Sequence, residues 1–346
     1  MTTPPNMVTI ALDAMGGDFA PAETVAGAVL AMKQGGVALA LVGDPAALKA
    51  ELAKFPGSER LPAQIVPSED VVREGEHPAM AFRSKPRASI FVATGVVKAG
   101  KARAVVSMGS TGATIAAATV LFGTFEGIDR AALGGPIIGT APGTIVIDVG
   151  TNVECKPRQL ADFAALGTAM SRILYGVESP RVAILSVGAE EGKGNKLVLE
   201  ATPLLKQSGL NFIGNVEGTD LPFGKAEIIV CEGFSGNVVM KLTEGLGEAL
   251  ANDLRSHLGG KLAADEVERI ATRVYELTNR AEAYGGGPLL GVKGVAVVGH
   301  GRARAQAVAN AIHTARKSVQ NGFVEAAAKE VARLRGKLGE PPPATA

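Results

Sequence analysis

Short runs of β-branched and aliphatic residues recur along this chain. Each ends in a turn that joins glycine to a polar side chain, and a stretch of helical period usually follows. The runs predict strands at Val8–Leu12, Val37–Val42, Ala104–Ser107, Thr144–Asp148, Val182–Val187, Asn211–Ile213, Ile228–Val230 and Val295–Val298. The intervening periods predict helices at Glu23–Lys33, Pro45–Lys54, Ser89–Lys98, Thr111–Leu121, Arg158–Tyr175, Lys196–Gln207, Asn237–Arg255 and Arg304–Arg335. Such alternation implies a mainly parallel sheet with helices on both faces, a three-layer α/β/α architecture. Leu246, Leu250, Leu254 and Leu258 repeat at helical spacing, Gly259-Gly260 interrupts them, and Val267, Ile270, Val274 and Leu277 form a second stripe. The pattern predicts a protruding helical hairpin over 246–280 with Leu258 and Leu262 near its tip. One catalytic domain is expected over 7–336, with disordered tails at 1–6 and 337–346.

The strand ends carry the candidate chemistry. Seven of them combine glycine with Asp, Asn, Ser, Glu or His: 13–18, 107–112, 148–152, 186–188, 215–218, 232–237 and 300–301. Ligands bind at the carboxyl ends of parallel strands, so these turns predict an active site on that edge. Ser235, Gly236 and Asn237 read as a helix start, where N–H groups and the dipole favour an anion, with Lys241 able to turn back toward them. Ser110, Thr111 and Gly112 read as a second such start. In Asp13-Ala-Met-Gly-Gly-Asp18, Gly16 and Gly17 allow close approach of a ligand, and Asp18 serves either the ligand or the helix as its cap. No further carboxylates accompany Asp13 and Asp18, so no metal is expected.

Arg83, Lys85 and Arg87 crowd five residues between Pro78 and Ser89, where they could meet a phosphate or an acidic partner. The segment Gly188–Asn195 fails as a P-loop: three residues separate Gly188 from Gly192, and no Ser or Thr follows Lys193. Lys193 between two glycines is still a mobile cation at a strand end, and Asn195 is placed to cap the next helix. Of the four histidines, only His300, between Gly299 and Gly301, is expected in a site.

Composition narrows the function classes. A net charge of +1 with 4% aromatic residues argues against nucleic-acid binding. No apolar run is long enough to span a bilayer, and the first residues lack the features of a signal peptide. Cys155 and Cys231 fit no ligand or redox spacing, so a reduced cytoplasmic compartment is expected. The missing Gly-x-Gly-x-x-Gly after the first strand counts against a dinucleotide enzyme.

Taken together, the turns resemble those of the acyl-ACP:phosphate acyltransferase (PlsX) family of phospholipid synthesis. The resemblance runs from Ile10 to about Ala315. It rests on Asp13–Asp18 with Ala20-Pro21, Asp148-Val-Gly150 with Asn152, Gly192–Asn195 and Phe212–Gly218. Gly233–Val238 with Lys241, Glu244 and Gly245, then Tyr284–Val292 and His300-Gly301, complete it. The chain departs at Ser110, where the family has an amide, at Ala131, where it has proline, and at Ala88-Ser89, where it has paired serines.

The resemblance implies a fold like that of isopropylmalate dehydrogenases and phosphate acetyltransferases, usually a homodimer. It implies transfer of a long-chain acyl group from acyl carrier protein to inorganic phosphate, with no cofactor. The acyl phosphate then passes to an acylphosphate:glycerol-3-phosphate acyltransferase at the inner face of the membrane. Lys193 and Asn237 are the expected catalytic residues. Asp13, Gly16, Gly17, Asp18, Lys85, Ser110, Thr111, Gly112, Asn152, Asn195, Ser235, Gly236, Lys241 and His300 are expected to bind substrate. Leu254, Leu258 and Leu262 would touch the membrane or a dimer partner, with Asp253, Asp265, Glu266 and Glu268 opposing an anionic surface. A phosphate acetyltransferase-like enzyme of short acyl-CoA and a non-catalytic carrier or lipid scaffold stand as alternatives.

Overall fold

The computed structural model describes residues 7–280 and 285–339; of the expected tails, 1–6 and the part of 337–346 from 340 on lie outside them. In chain order the strands are β1 (Val8–Asp13), β2 (Val37–Gly43), β3 (Ala63–Pro67), β4 (Ala104–Ser107), β5 (Ala132–Gly135) and β6 (Ile145–Ile147). β7 (Arg181–Leu185), β8 (Asn211–Val216), β9 (Ile228–Val230), β10 (Gly287–Leu290) and β11 (Val295–Val298) follow. The helices are α1 (Ala22–Gln34), α2 (Pro45–Leu52), α3 (Pro78–Ser84), α4 (Ser89–Lys98), α5 (Thr111–Phe122) and α6 (Pro157–Met170). After them come α7 (Lys196–Gln207), α8 (Gly233–Leu258), α9 (Ala264–Thr278), α10 (Ala305–Gln320) and α11 (Phe323–Leu338).

The described residues form two compact units, each with a core of its own. Among the described residues the first holds 7–126 and 285–328, the second 127–280 and 329–339. The first unit orders its strands β3-β2-β1-β4-β11-β10, all parallel except β10 against β11. Its core joins Ile10, Leu12, Leu39, Leu41, Val106 and Val297 of the sheet to Val25, Val308 and Ile312 of α1 and α10. Gly27 lets those helices meet, since a Cβ there would stand 2.5 Å from Val308 Cβ.

The second unit orders its strands β5-β6-β9-β7-β8, parallel except β5 against β6. Ile147 and Ile228 meet α6 at Gly167, where a Cβ would stand 2.8 and 2.9 Å from their side chains. Val146, Ala183 and Ile229 pack into a cluster with Ile137 and Leu221. α8 and α9 form the expected hairpin, turning at Gly259–Ala263 with Leu258 and Leu262 at the bend.

Most boundaries fall within three residues of the expected ones, and three differences are larger or fall at an element's end that matters. The single helix expected over 304–335 is two, because Gly322 adopts φ +67° between them. Residues 337 and 338, expected in the tail, belong to α11. α8 starts at Gly233, four residues before the expected Asn237.

Candidate active site

In the first unit, β1, β4 and β11 run in parallel register and end together, pairing Asp13 with Ser107 and Ser107 with Val298. Asp13 is buried and accepts a 2.7 Å hydrogen bond from Ser107 Oγ, which itself accepts from the Gly109 N–H at 3.0 Å. Burial pushes the Asp13 carboxyl up, against the pull of the Ser89 and Ser107 hydroxyls and the Met15 and Gly16 N–H groups. Gly16 is forced here, because a Cβ would lie 2.5 Å from Asp13 Oδ2 and 2.8 Å from Gly109 N.

The Asp18 N–H donates to Gly301 O at 2.8 Å, and Gly17 packs beside Met108 and Gly301 O. The structure thus gathers Asp13, Gly16, Gly17, Asp18 and the His300-Gly301 turn. Asp18 caps no helix; α1 begins at Ala22 behind Pro21. Ser110 caps α5, accepting from Ala113 N at 3.4 Å, and the N–H groups of Thr111 and Gly112 precede the first intrahelical bond, Thr114 N to Ser110 O. Lys85 is engaged elsewhere: its ammonium meets Glu76 at 2.7 Å and Val71 O at 3.2 Å. Arg87 pairs with Glu69 at 2.9 Å, so two of the three cations find their acidic partners within the chain.

In the second unit, Asp148 follows β6 and is fully buried. Its carboxylate accepts from the N–H groups of Leu133, Gly150, Thr151 and Asn152 and from the Asn152 side chain. Asn152 is buried too, and its amide donates to Asp148 Oδ2 at 2.8 Å and Ala131 O at 2.9 Å. Expected as a substrate ligand, it serves as the brace of this turn. α8 is clamped onto the same turn: Gly233 N donates to Asn152 O at 2.7 Å, and a Cβ on Gly236 would stand 1.8 Å from Asp148 O.

The start of α8 differs from the expectation for a physical reason. Glu232 is its N-cap and accepts from Ser235 N at 3.0 Å and Ser235 Oγ at 2.6 Å. A carboxylate of the chain already occupies the positive end of this helix, so an anion docking there would meet like charge. Asn237 lies inside the helix, exposed, beside Gly150. Lys241 stands two turns in and pairs forward with Glu244 at 2.7 Å, away from the helix start.

Lys193 is exposed on a loop that side chains hold in place. Asn215 Nδ2 donates to the carbonyls of Gly188, Glu190 and Lys193 at 3.0–3.1 Å, and Ser186 Oγ donates to Lys193 O at 3.1 Å. Asn195 caps α7, accepting from Val198 N at 3.0 Å. Asp148, Asn215 and Glu232 were missed as site-forming residues, although each stands at a strand end in the sequence.

Both thiols are poor nucleophiles. Burial, then Asp148 and Glu232, push Cys155 up to about 12, and burial pushes Cys231 up further. Among the described residues no group of three or more His, Cys, Asp or Glu is placed to hold a metal. The cluster of the first unit offers positioned N–H groups, and that of the second an exposed ammonium and an exposed amide, each of them suited to holding an anion.

The family model described as "Fatty acid synthesis protein" matches residues 8–326. A phosphate acyltransferase of Heliobacterium modesticaldum is 45% identical, over 92% of this chain and 96% of its own. One of Desulfitobacterium hafniense is 42% identical, over 95% and 98%. A phosphotransacetylase structure from Streptococcus pyogenes shares the α/β fold at 16% identity and a TM-score of 0.60, covering 91% of this chain and 95% of that one. The identity to both relatives spans nearly all of their length, and on that ground the chain belongs to the phosphate acyltransferase family, a family of transferases.

Proposed function

We propose that the protein moves a long-chain fatty acyl group from acyl carrier protein to inorganic phosphate, giving acyl phosphate for phosphatidic acid synthesis. The observation that carries this reading is the end-to-end likeness to phosphate acyltransferases. A phosphate oxygen attacks the thioester carbonyl carbon, the new C–O bond forms, and the C–S bond breaks. The leaving thiolate, of pKa about 8.5 in free thiols, takes the proton that phosphate gives up. Phosphate is already a nucleophile near neutral pH, so the reaction needs no triad. Positioning is worth about 7–11 kcal/mol, and each donor to the oxyanion about 3 kcal/mol.

In the second unit, Lys193 and Asn237 are the catalytic residues of this reading, the first as a mobile cation and the second as an amide donor. In the first unit, Gly16, Gly17, Ser110, Thr111, Gly112 and His300 line the substrate-binding surface. The protonated state of both cysteines supports direct transfer to phosphate over an acyl-cysteine intermediate. The protein works as a homodimer in the cytoplasm, with the α8–α9 hairpin touching the membrane surface. Leu262 at its tip is 41% exposed, and one carboxylate near the tip, Glu268, is partly neutralised by Arg255 at 2.7 Å. Among the described residues no helix is long and apolar enough to cross a membrane.

The phosphotransacetylase fold favours one rival, a short acyl-CoA enzyme. Phosphate-dependent release of carrier thiol from palmitoyl carrier protein separates the two. Turnover with that donor well above turnover with acetyl-CoA is the expected result, and the reverse preference would establish the rival.

A further inference from the structure

A pocket of about 370 Å³ opens in the second unit beside the start of α8. Its buried lining is Leu160, Ile184 and Val198, from α6, β7 and α7. Its mouth is Val187, Phe234 and Val238, which are 80%, 62% and 47% exposed. Large apolar side chains left this open and converging on one cavity mark a binding site for an apolar group. Polar atoms reach the pocket at the α8 start, where Ser235 is hydrogen-bonded to Glu232. The cavity therefore has an aliphatic floor and a polar rim, a layout that takes an alkyl chain tail-first and leaves its polar end outside.

We propose that this pocket holds the alkyl chain of the acyl donor, with its floor at Leu160, Ile184 and Val198 setting the chain length bound. The inference rests on the acyl-transfer reading above and adds where the chain lies and how far it is sensed. The pocket closes at that floor, so it takes a limited number of carbons. Carbons beyond that number lie outside it. The Cys231 thiol in the wall stays neutral, which suits an apolar occupant.

The test is the kcat/KM of phosphate-dependent thiol release from carrier protein loaded with chains of 6 to 18 carbons. Each buried methylene contributes up to about fourfold, so kcat/KM should climb with length and level off once the pocket is full. Val198→Phe fills the floor and should move that break to shorter chains, lowering the 12-carbon to 6-carbon ratio at least tenfold. Phe234→Ala, at an exposed position that the fold tolerates, should flatten the climb for the longer chains. A wild-type protein that turns over carrier-bound donors with no dependence on length would overturn the pocket but leave the acyl-transfer reading standing. Unchanged length profiles in both variants would do the same. A wild-type protein inert toward every loaded carrier would overturn the reading itself, and the pocket with it.

Discussion

Asn152 holds Asp148 from two directions, its backbone N–H at 2.7 Å and its side-chain amide at 2.8 Å from the same carboxylate oxygen. The same amide ties Ala131 O, so one side chain joins the 148–152 turn to the segment that enters β5. Asn152→Ala should cost about 1–3 kcal/mol, because a buried carboxylate oxygen and a carbonyl each lose a donor. Chemical denaturation checks this, and a loss under 0.5 kcal/mol, about the level of an ordinary surface substitution, would show that water replaces the amide.

Lys193 offers the opposite case. Its side chain is exposed while its backbone is pinned by Asn215 and Ser186. Lys193→Ala should therefore lower turnover at least tenfold, about 1.4 kcal/mol in the barrier, with the melting temperature almost unmoved. Wild-type phosphate-dependent kinetics in this variant would remove Lys193 from the chemistry.

Asp162 titrates where few carboxylates do. Burial raises it to about 7 despite the pull of Arg335, 3.0 Å away, and of Arg158. The folded protein keeps a proton there that the unfolded chain gives up between about pH 4 and 7, so this group's contribution to stability falls as pH rises through that window. Asp162→Asn has no proton to lose. Relative to that variant, the wild-type melting temperature should decline from pH 4.5 to 7.5, and a constant difference would show that Asp162 is ionised throughout.

For the hairpin, weak and reversible binding to anionic liposomes is expected, falling when Leu258 and Leu262 are both changed to Glu while the dimer persists. Sedimentation with vesicles and light scattering read the two outcomes. Loss of the dimer in the double variant, with no vesicle binding by the parent, would make this hairpin an interface between subunits.

Most strands and helices were legible because burial on both faces of a parallel strand demands uninterrupted aliphatic runs, as in Ile145-Val-Ile147 and Ile228-Ile-Val230. The hairpin was legible because its leucines repeat every four residues up to Gly259. The start of α8 was misplaced because Glu232 does not look like a cap: its carboxylate does what Ser or Asp ordinarily does. The break at Gly322 was hidden by apolar periods on either side of it. Asn152 and Asn195 were expected to bind substrate, Asn195 as a helix cap as well, because an asparagine in such a turn carries the same signal whether its amide faces a substrate or a backbone. Only the partner atoms, Asp148 and Ala131 for one and Val198 for the other, tell these apart.

α8 runs unbroken for 26 residues, about 39 Å, from the glycine clamp on Asp148 to the bend of the hairpin. With no side chain at Gly233 or Gly236 to act as a cushion, its first turn bears directly on the 148–152 turn as a lever bears on a fulcrum. A rotation of about 5° at that bearing sweeps the far end through about 3 Å on a rod of this length. Any bulk added at the fulcrum is thus magnified at the tip, so Gly236→Ala should disturb contacts made by Leu258 and Leu262 more than its own single methyl would suggest.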